Sequence, residues 1–135
     1  MIRPLIVGRD ITKWRIKPAD RFMLLTQIGI EIRKYPAVFA HLRKWKEKLE
    51  VRCDRGNHWW ELRPCDYYQQ FGNPKIVYQE IATYQGFALD RSGSLLNNKV
   101  FMIPTADHYL LGILNSSCAW QYLSMKCSKM VGGAL

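Results

Sequence analysis

The sequence predicts an α+β fold: a small, mostly antiparallel sheet with a basic amphipathic helix and C-terminal apolar helices. Two short β-type runs fall within residues 74–90, where apolar and polar side chains alternate. Residues 36–51 instead carry apolar side chains at helical spacing, and residues 108–125 are largely apolar and hold no Asp, Glu, Lys or Arg. Alternation with a period of two indicates a strand, and a repeat of about 3.6 residues indicates a helix. Both kinds of element are therefore expected.

Length and charge limit the classes of protein to consider. With 135 residues, 48% of them apolar, the chain fits a single domain over residues 1–135. Twenty basic residues against 11 acidic ones give a net charge of +9, which indicates a polyanionic partner, with nucleic acid ahead of an acidic membrane surface. Residues 1–99 hold 18 of the 20 basic residues and 10 of the 11 acidic ones. The partner-facing part is therefore predicted there.

The first part of the chain has short strand candidates at residues 5–7 and 22–26. Between them, Lys13 and Arg15 flank Trp14. One interpretation is a solvated turn beside a tryptophan of the core, because tryptophan commonly fills cores. The other is a basic loop whose ring stacks on a base while the cations bind phosphates. The sequence alone leaves both open.

A helix is predicted over residues 36–51, with Pro36 at the first position, where proline is favoured. The apolar residues that share one face are Val38, Phe39, Leu42, Trp45 and Leu49. The opposite face is basic and holds Arg43, Lys44, Lys46, Lys48 and Arg52. Such a face is either merely solvated or a track for phosphates. Glu47 and Glu50 weaken the second interpretation.

Residues 54–65 form an irregular loop that places Trp59 and Trp60 among the cationic side chains of Arg55, His58 and Arg63. Adjacent tryptophans can form a folded corner with one ring buried. They can also form a platform that stacks on bases while guanidinium groups bind guanine. We favour the corner, with Arg55 and His58 left free for a partner.

The later part of the chain supplies the sheet and the apolar helices. Strands are predicted at residues 74–82, 87–89 and 100–103, and the turn residues between the last two are Asp90, Ser92 and Gly93. Thr105 is the predicted N-cap of a helix, which a second helix or a continuation follows. Polar residues interrupt this stretch, namely Asn115, Ser116, Ser117 and Gln121. We interpret it as buried helix rather than as a membrane span. The apolar end at residues 131–135 suggests a fragment of a longer protein.

Motifs of catalysis are absent from the sequence, including nucleotide-binding glycine loops and the metalloprotease motif. The four cysteines, at positions 53, 65, 118 and 127, are expected to be reduced thiols. Cys53, His58 and Cys65 have a spacing that matches no common zinc pattern, so no metal is expected. No signal-peptide pattern opens the chain, and a cytoplasmic location is expected. A binding module is favoured over a catalyst.

Five segments carry a resemblance to a known family. They are RPLIVGRDITKWRI (residues 3–16), YPAVFAHLRKWKEKLEVR (35–52), WWELRPCDYY (59–68), NPKIVYQEIA (73–82) and YLLGILNS (109–116). In this order and spacing, they resemble the TaqI-like C-terminal specificity domain. That domain is the target-recognition part of adenine-specific DNA methyltransferases, including type II restriction-modification enzymes.

The resemblance implies that this chain selects a sequence in double-stranded DNA. A separate catalytic domain of the same parent chain would flip an adenine and methylate its N6 from S-adenosylmethionine. The Asn-Pro-Pro-Tyr-type motif of that catalytic domain is absent, since Lys75 follows Asn73 and Pro74. The fragment itself is therefore expected to bind no cofactor and to catalyse nothing. Whether the parent also cleaves DNA stays open.

Residue chemistry and expected loop or rim placement suggest two sets of DNA contacts. The candidates for reading base edges are Arg55, Asn57, His58, Gln79, Gln85 and Asn98. The candidates for phosphate contacts or stacking are Arg9, Lys13, Trp14, Arg15, Arg43, Lys44, Lys75 and Lys99. Two other function classes are considered. One is a protein-interaction domain that docks through Trp59, Trp60 and the apolar tail. The other is a single-strand binder that stacks bases on Trp14, Tyr78 and Tyr84.

Overall fold

The computed structural model describes residues 1–17, 20–129 and 134. It has the mixed α and β content that the sequence predicts. Its contacts divide the chain into two compact units. The helical unit comprises residues 1–2 and 24–66, and the sheet unit comprises residues 3–23 and 67–135. The interpretation of the chain as one domain stays a prediction.

Eight short strands and four α-helices lie in the described residues. The strands are β1 (Ile2–Ile6), β2 (Ile11–Thr12), β3 (Arg15–Ile16), β4 (Phe22–Leu24), β5 (Lys75–Gln79), β6 (Phe87–Asp90), β7 (Leu95–Leu96) and β8 (Val100–Ile103). The helices are α1 (Pro36–Arg43), α2 (Lys46–Glu50), α3 (His108–Leu114) and α4 (Ser117–Lys126).

The main sheet of the sheet unit has the order β6-β5-β8, and both pairings are antiparallel. Ile76 of β5 lies between Leu89 of β6 and Ile103 of β8. This confirms the predicted antiparallel sheet and the three strands that form it. The prediction succeeded because β-branched and aromatic residues alternate along β5 and turn residues follow β6.

Both faces of the main sheet are buried, since neighbouring side chains of a strand point to opposite faces. Val77 is fully buried in a cluster with Ile6 and Ile11. Its neighbour Ile76, also fully buried, packs in a second cluster with Phe87 and with Leu111 of α3. The sheet is therefore the central layer of this unit.

The remaining five strands form two smaller sheets. β1 lies between β4 and β7, and its pairing with β7 is parallel, with Leu5 opposite Leu95. The basic segment at residues 11–16 is a tight hairpin, in which β2 and β3 pair with Thr12 opposite Arg15.

Helices α3 and α4 differ in two respects from the prediction. They are not buried throughout: Leu111 is buried, but Tyr109 and Met125 are 79% and 69% exposed. Thr105 is not the N-cap, because the chain begins α3 later. Asp107 caps the helix and accepts hydrogen bonds from the N–H groups of Tyr109 and Leu110. Its carboxylate also suits the positive end of the helix dipole.

The helix predicted over residues 36–51 is divided into α1 and α2. The backbone leaves the helical region at Trp45, whose φ is −114° and ψ is 10°. Trp45 was predicted on the apolar face of this helix, but it is 50% exposed. Phe39 keeps its predicted role: its ring centroid lies 5.8 Å from that of Trp59 and 5.8 Å from that of Trp60.

Residues 131–135 of the apolar end lie outside the described residues, apart from Ala134. Among the residues that the structure describes, none of the helices has the length and apolar character needed to cross a bilayer.

Candidate nucleic-acid interface

The β2–β3 hairpin of the sheet unit ends in a two-residue turn formed by Lys13 and Trp14, between the paired residues Thr12 and Arg15. Trp14 has a φ of 71°, and it is the one non-glycine residue with positive φ in the described part of the chain. Turns of this kind normally place glycine or asparagine at such a position. The backbone of Trp14 is therefore in a strained conformation.

The strained turn is fixed to the main sheet by hydrogen bonds. The N–H of Trp14 donates to the carbonyl oxygen of Phe87 over 3.0 Å. The Nε2 of Gln79 donates to the carbonyl oxygen of Ile11 over 3.0 Å, and the Tyr84 hydroxyl donates to the same oxygen over 3.4 Å. Ile11 itself is fully buried. The base of the hairpin therefore belongs to the core of the unit.

The tip of the hairpin is exposed and cationic. Trp14 is 51% exposed, and Arg9, Lys13 and Arg15 are exposed around it. No salt bridge joins these three cations to an acid in the residues that the structure describes. Four sequence-predicted contacts are thus brought together in one hairpin and the turn before it. The stacking interpretation of Trp14 fits this placement better than the core interpretation.

Asp10 is the acidic residue nearest to this cluster in sequence, and its hydrogen-bonded cation is Arg21 rather than a residue of the tip. Arg21 donates to both oxygens of its buried carboxylate. Burial alone would raise the pKa of Asp10. The hydrogen bonds from Arg21 and the Val7 N–H, with the positive charges of Arg21 and Arg9, instead hold that pKa below its ordinary value. Asp10 is therefore an internal anion that fixes the start of the hairpin.

The irregular loop of the helical unit is built around a buried carboxylate, that of Glu61, which is 1% exposed. Its oxygens accept hydrogen bonds from the N–H groups of Gly29 and His58, each over 2.9 Å. Burial alone would raise the pKa of Glu61. These N–H groups and that of Asn57, with the charge of His58, hold it below its ordinary value.

The tight packing around Glu61 explains the glycine at position 56. A Cβ atom on Gly56 would lie 2.7 Å from the Cβ of Glu61 and 2.8 Å from the Cγ1 of Ile28. Contacts this short do not occur between carbon atoms, so the backbone can approach the carboxylate only without a side chain.

The two tryptophans of the loop pack against each other, but neither residue is buried, whereas the predicted corner had one buried ring. Both are half-buried, and their ring centroids lie 5.3 Å apart in an edge-to-face arrangement. The ring of His58 is not free as expected, because it stacks on Trp60 with the centroids 4.5 Å apart. Arg55 and Asn57 are exposed beside this corner.

A profile of the TaqI-like C-terminal specificity domain matches residues 3–133. The chain belongs to this family. The resemblance read from the five sequence segments is confirmed, and with it the role of a DNA-recognition specificity domain of methyltransferases. No curated protein matches the chain.

The remaining predicted contacts of this specificity domain lie on or beside the main sheet. Gln79 is half-buried and uses its amide N–H on Ile11. Gln85 is half-buried, and Asn98 is exposed. The Nζ of Lys99 lies 2.6 Å from the Oε2 of Glu80, so this cation has an acidic partner. The roles of these residues toward DNA stay predictions.

Lys75 is not available as a phosphate contact, in contrast to the sequence-based expectation. It is fully buried, and its Nζ donates to the carbonyl oxygen of Phe71 over 2.8 Å and to the Oδ2 of Asp90 over 2.5 Å. Burial alone would raise the pKa of Asp90, but the hydrogen bonds from Lys75 and Ser92 lower it. The pair is an internal ion pair of the specificity domain.

The predicted cations of the helical unit, Arg43 and Lys44, are exposed at the end of α1. The following helix, α2, contains an ion pair, since the Nζ of Lys46 lies 3.3 Å from the Oε1 of Glu50. In residues 1–17, 20–129 and 134, no three His, Cys, Asp or Glu side chains come together in a way that could hold a metal ion.

Strain at Trp14 predicts an unusual order of stability among its variants. At an ordinary extended position, a protein with glycine is less stable than the same protein with alanine by about 0.5–1 kcal/mol. At position 14 we expect Trp14→Gly to be more stable than Trp14→Ala by about 1 kcal/mol, because a Cβ is penalised by about 1–2 kcal/mol in the left-handed region. Urea denaturation of the two variants measures the difference.

Lys13 provides the matched control for this order, since it occupies the same turn without positive φ. There, Lys13→Ala should be more stable than Lys13→Gly. The same order at both positions would show that the backbone of Trp14 is not strained.

Proposed function

We propose that this chain recognises a specific sequence in double-stranded DNA for an S-adenosylmethionine-dependent adenine-N6 methyltransferase of a restriction-modification system. The observation that carries the proposal is the family match over residues 3–133. The net charge of +9 adds support, because a basic domain suits a polyanionic ligand.

The proposed division of labour follows from the exposed side chains. Arg9, Lys13 and Arg15 would bind phosphates at the hairpin, since none of the three forms a salt bridge within the described residues. Arg55 and Asn57 would read base edges from the loop of the helical unit. A guanidinium group binds guanine through two acceptors, and an amide pairs with adenine through a donor and an acceptor.

The chemistry of methylation would belong to the rest of the parent protein. A catalytic domain of the same parent chain would bind S-adenosylmethionine and accept the adenine flipped out of the duplex, while this chain selects the site. Such an enzyme works on cellular DNA, so a cytoplasmic location is part of the proposal.

Binding to a pool of random duplexes at low and moderate salt tests the proposal. Sequencing of the retained DNA should give an enriched motif, and the affinity should fall with salt with a slope of about 0.9 for each neutralised phosphate. Salt-independent binding or no binding would contradict the proposal and favour a protein-interaction domain. Stronger competition by single-stranded DNA than by duplex would favour a single-strand binder.

Two variants separate gripping from reading. The double variant Lys13→Ala/Arg15→Ala should weaken binding to all duplexes alike and reduce the salt slope by about 2. Arg55→Ala should relax the preference at one base pair, with a loss of about 1–3 kcal/mol confined to the preferred sequence. Lys34→Ala is the control, because the Nζ of Lys34 already lies 2.8 Å from the Oε2 of Glu31 on an exposed surface. It should change neither quantity.

A further inference from the structure

We propose that Trp14 acts as a wedge that enters the stack of base pairs, so that the hairpin distorts the duplex instead of only touching its outer surface. This inference rests on the proposed function and specifies how one element of the domain meets DNA. Proteins that insert apolar side chains between base pairs unstack a step and bend or unwind the duplex. The hairpin tip has the three properties that such a wedge requires.

The first property is an exposed ring that the protein core does not use. Trp14 is 51% exposed although its backbone is in a region that favours glycine. A strained residue whose side chain filled the core would be explained by the packing it gains. Here half of the residue's surface is exposed to solvent, so packing does not account for a large aromatic residue at this position. Strain of this kind gathers at sites that bind ligands.

The second property is rigidity. The N–H of the strained residue is held by the carbonyl oxygen of Phe87, and the Oγ1 of Thr12 donates to the carbonyl oxygen of Arg15 across the hairpin over 3.1 Å. Phe87 is held in turn by Asn115, which accepts from its N–H and donates to its carbonyl oxygen. A ring carried on such a frame loses little freedom on binding, and preorganisation of this kind favours affinity.

The third property is positive charge on the residues that precede and follow Trp14. Lys13 and Arg15 are its sequence neighbours and are exposed, and Arg9 lies in the turn before the hairpin. A wedge between two base pairs is flanked by phosphates on both strands. Cations beside the ring would therefore hold those phosphates while the ring replaces part of the lost stacking.

Trp45 is a natural comparison within the chain. It is 50% exposed and stands between Lys44 and Lys46, so its exposure and charge match those of Trp14. Its backbone has negative φ, however, and the Nζ of Lys48 lies 5.4 Å from the centroid of its ring. The face of the Trp45 ring is already in contact with a cation, and the backbone of Trp45 is not strained. Trp45 has exposure without the features of a wedge.

Relaxation of a closed circular plasmid by a topoisomerase in the presence of the protein tests the wedge. Insertion unwinds the duplex, and after removal of the protein the relaxed plasmid should be negatively supercoiled. The wild-type chain should shift the linking number in proportion to the protein bound. Trp14→Phe should retain a shift, because phenylalanine can still stack. Trp14→Ala and Trp14→Gly should abolish the shift, whereas Trp45→Ala should leave it unchanged.

Duplex binding by each variant, measured in parallel, separates this inference from the proposed function. Loss of one stacked ring should weaken binding by about tenfold, and salt-sensitive binding should remain. Salt-sensitive duplex binding with no wild-type shift, or with a shift that survives in Trp14→Ala, overturns the wedge alone. Absence of duplex binding in the wild type overturns the proposed function and the wedge together. Trp14→Gly removes the ring and relaxes the backbone, so its lost shift cannot be ascribed to misfolding.

Discussion

Replacement of Lys75 by alanine is expected to lower the free energy of unfolding by about 3–5 kcal/mol. Lys75 and Asp90 are 0% and 2% exposed. Taking one partner out of a buried ion pair leaves the other charge without compensation in a medium of low polarity, and the penalty falls in this range.

The position of Asp90 makes the loss more severe. Its Oδ1 accepts hydrogen bonds from the N–H and the hydroxyl of Ser92, and its Oδ2 accepts from Lys75. The lysine also ties the carbonyl oxygen of Phe71 to the start of β5. Without Lys75, the buried carboxylate and this carbonyl lose a donor together.

Thermal and urea denaturation of Lys75→Ala measure this effect. The double variant Lys75→Met/Asp90→Asn should recover much of the loss, because no charge is then left buried. Lys99→Ala is the matched control: its pair with Glu80 is partly exposed, and exposed pairs contribute about 0–1 kcal/mol. If Lys75→Ala cost no more than Lys99→Ala, the interior ion pair would not be a determinant of stability.

Replacement of Glu61 by glutamine is expected to lower the free energy of unfolding by about 2–4 kcal/mol. The carboxylate accepts from the N–H groups of Gly29 and His58, and a hydrogen bond to a charged group contributes about 1.5–3 kcal/mol. Glutamine keeps one acceptor oxygen but turns an NH₂ group toward the other donor. The readout is faster hydrogen exchange at the amides of Gly29 and His58, together with a lower urea midpoint.

The pH dependence of this difference checks its electrostatic origin. The pKa of Glu61 is lowered in the folded chain, so its contribution is fully present above the ordinary glutamate value of 4.5 and is lost as the pH falls through the folded value. Wild type and Glu61→Gln should therefore differ at neutral pH and converge as the pH falls below 4.5. A gap that is constant from neutral to acidic pH would point to packing rather than to the charge.

The main sheet could be predicted because its signals are local. Alternation along β5 and turn residues after β6 do not depend on distant contacts. The division of the predicted helix at Trp45 could not, since no glycine or proline marks it and the apolar spacing continues across it. Likewise, Thr105 and Asp107 are both good N-caps by residue type. Only the structure shows which of them the helix uses.

The candidate site shows the same limit. The cluster around Trp14 could be found because its members are close in sequence. The positive φ of Trp14 could not be predicted, because no glycine or asparagine occupies the turn. A lysine beside a strand is usually exposed, so the sequence predicts Lys75 at the rim of the sheet. The register places it directly opposite Asp90 in β6, and counting that register would have suggested the ion pair. Glu61, which organises the loop of the helical unit, was missed because its partners are backbone N–H groups.

The positive φ of Trp14 also has an evolutionary consequence. The tryptophan codon TGG becomes the glycine codon GGG by a single nucleotide change, so the substitution that relaxes this turn is always close at hand. Mutation therefore produces glycine, the less strained residue, repeatedly. Only selection for the tryptophan ring can prevent its fixation at this position. Relatives that retain an aromatic residue here would mark lineages in which the hairpin still meets its ligand, and a drift to glycine would mark those that have lost it.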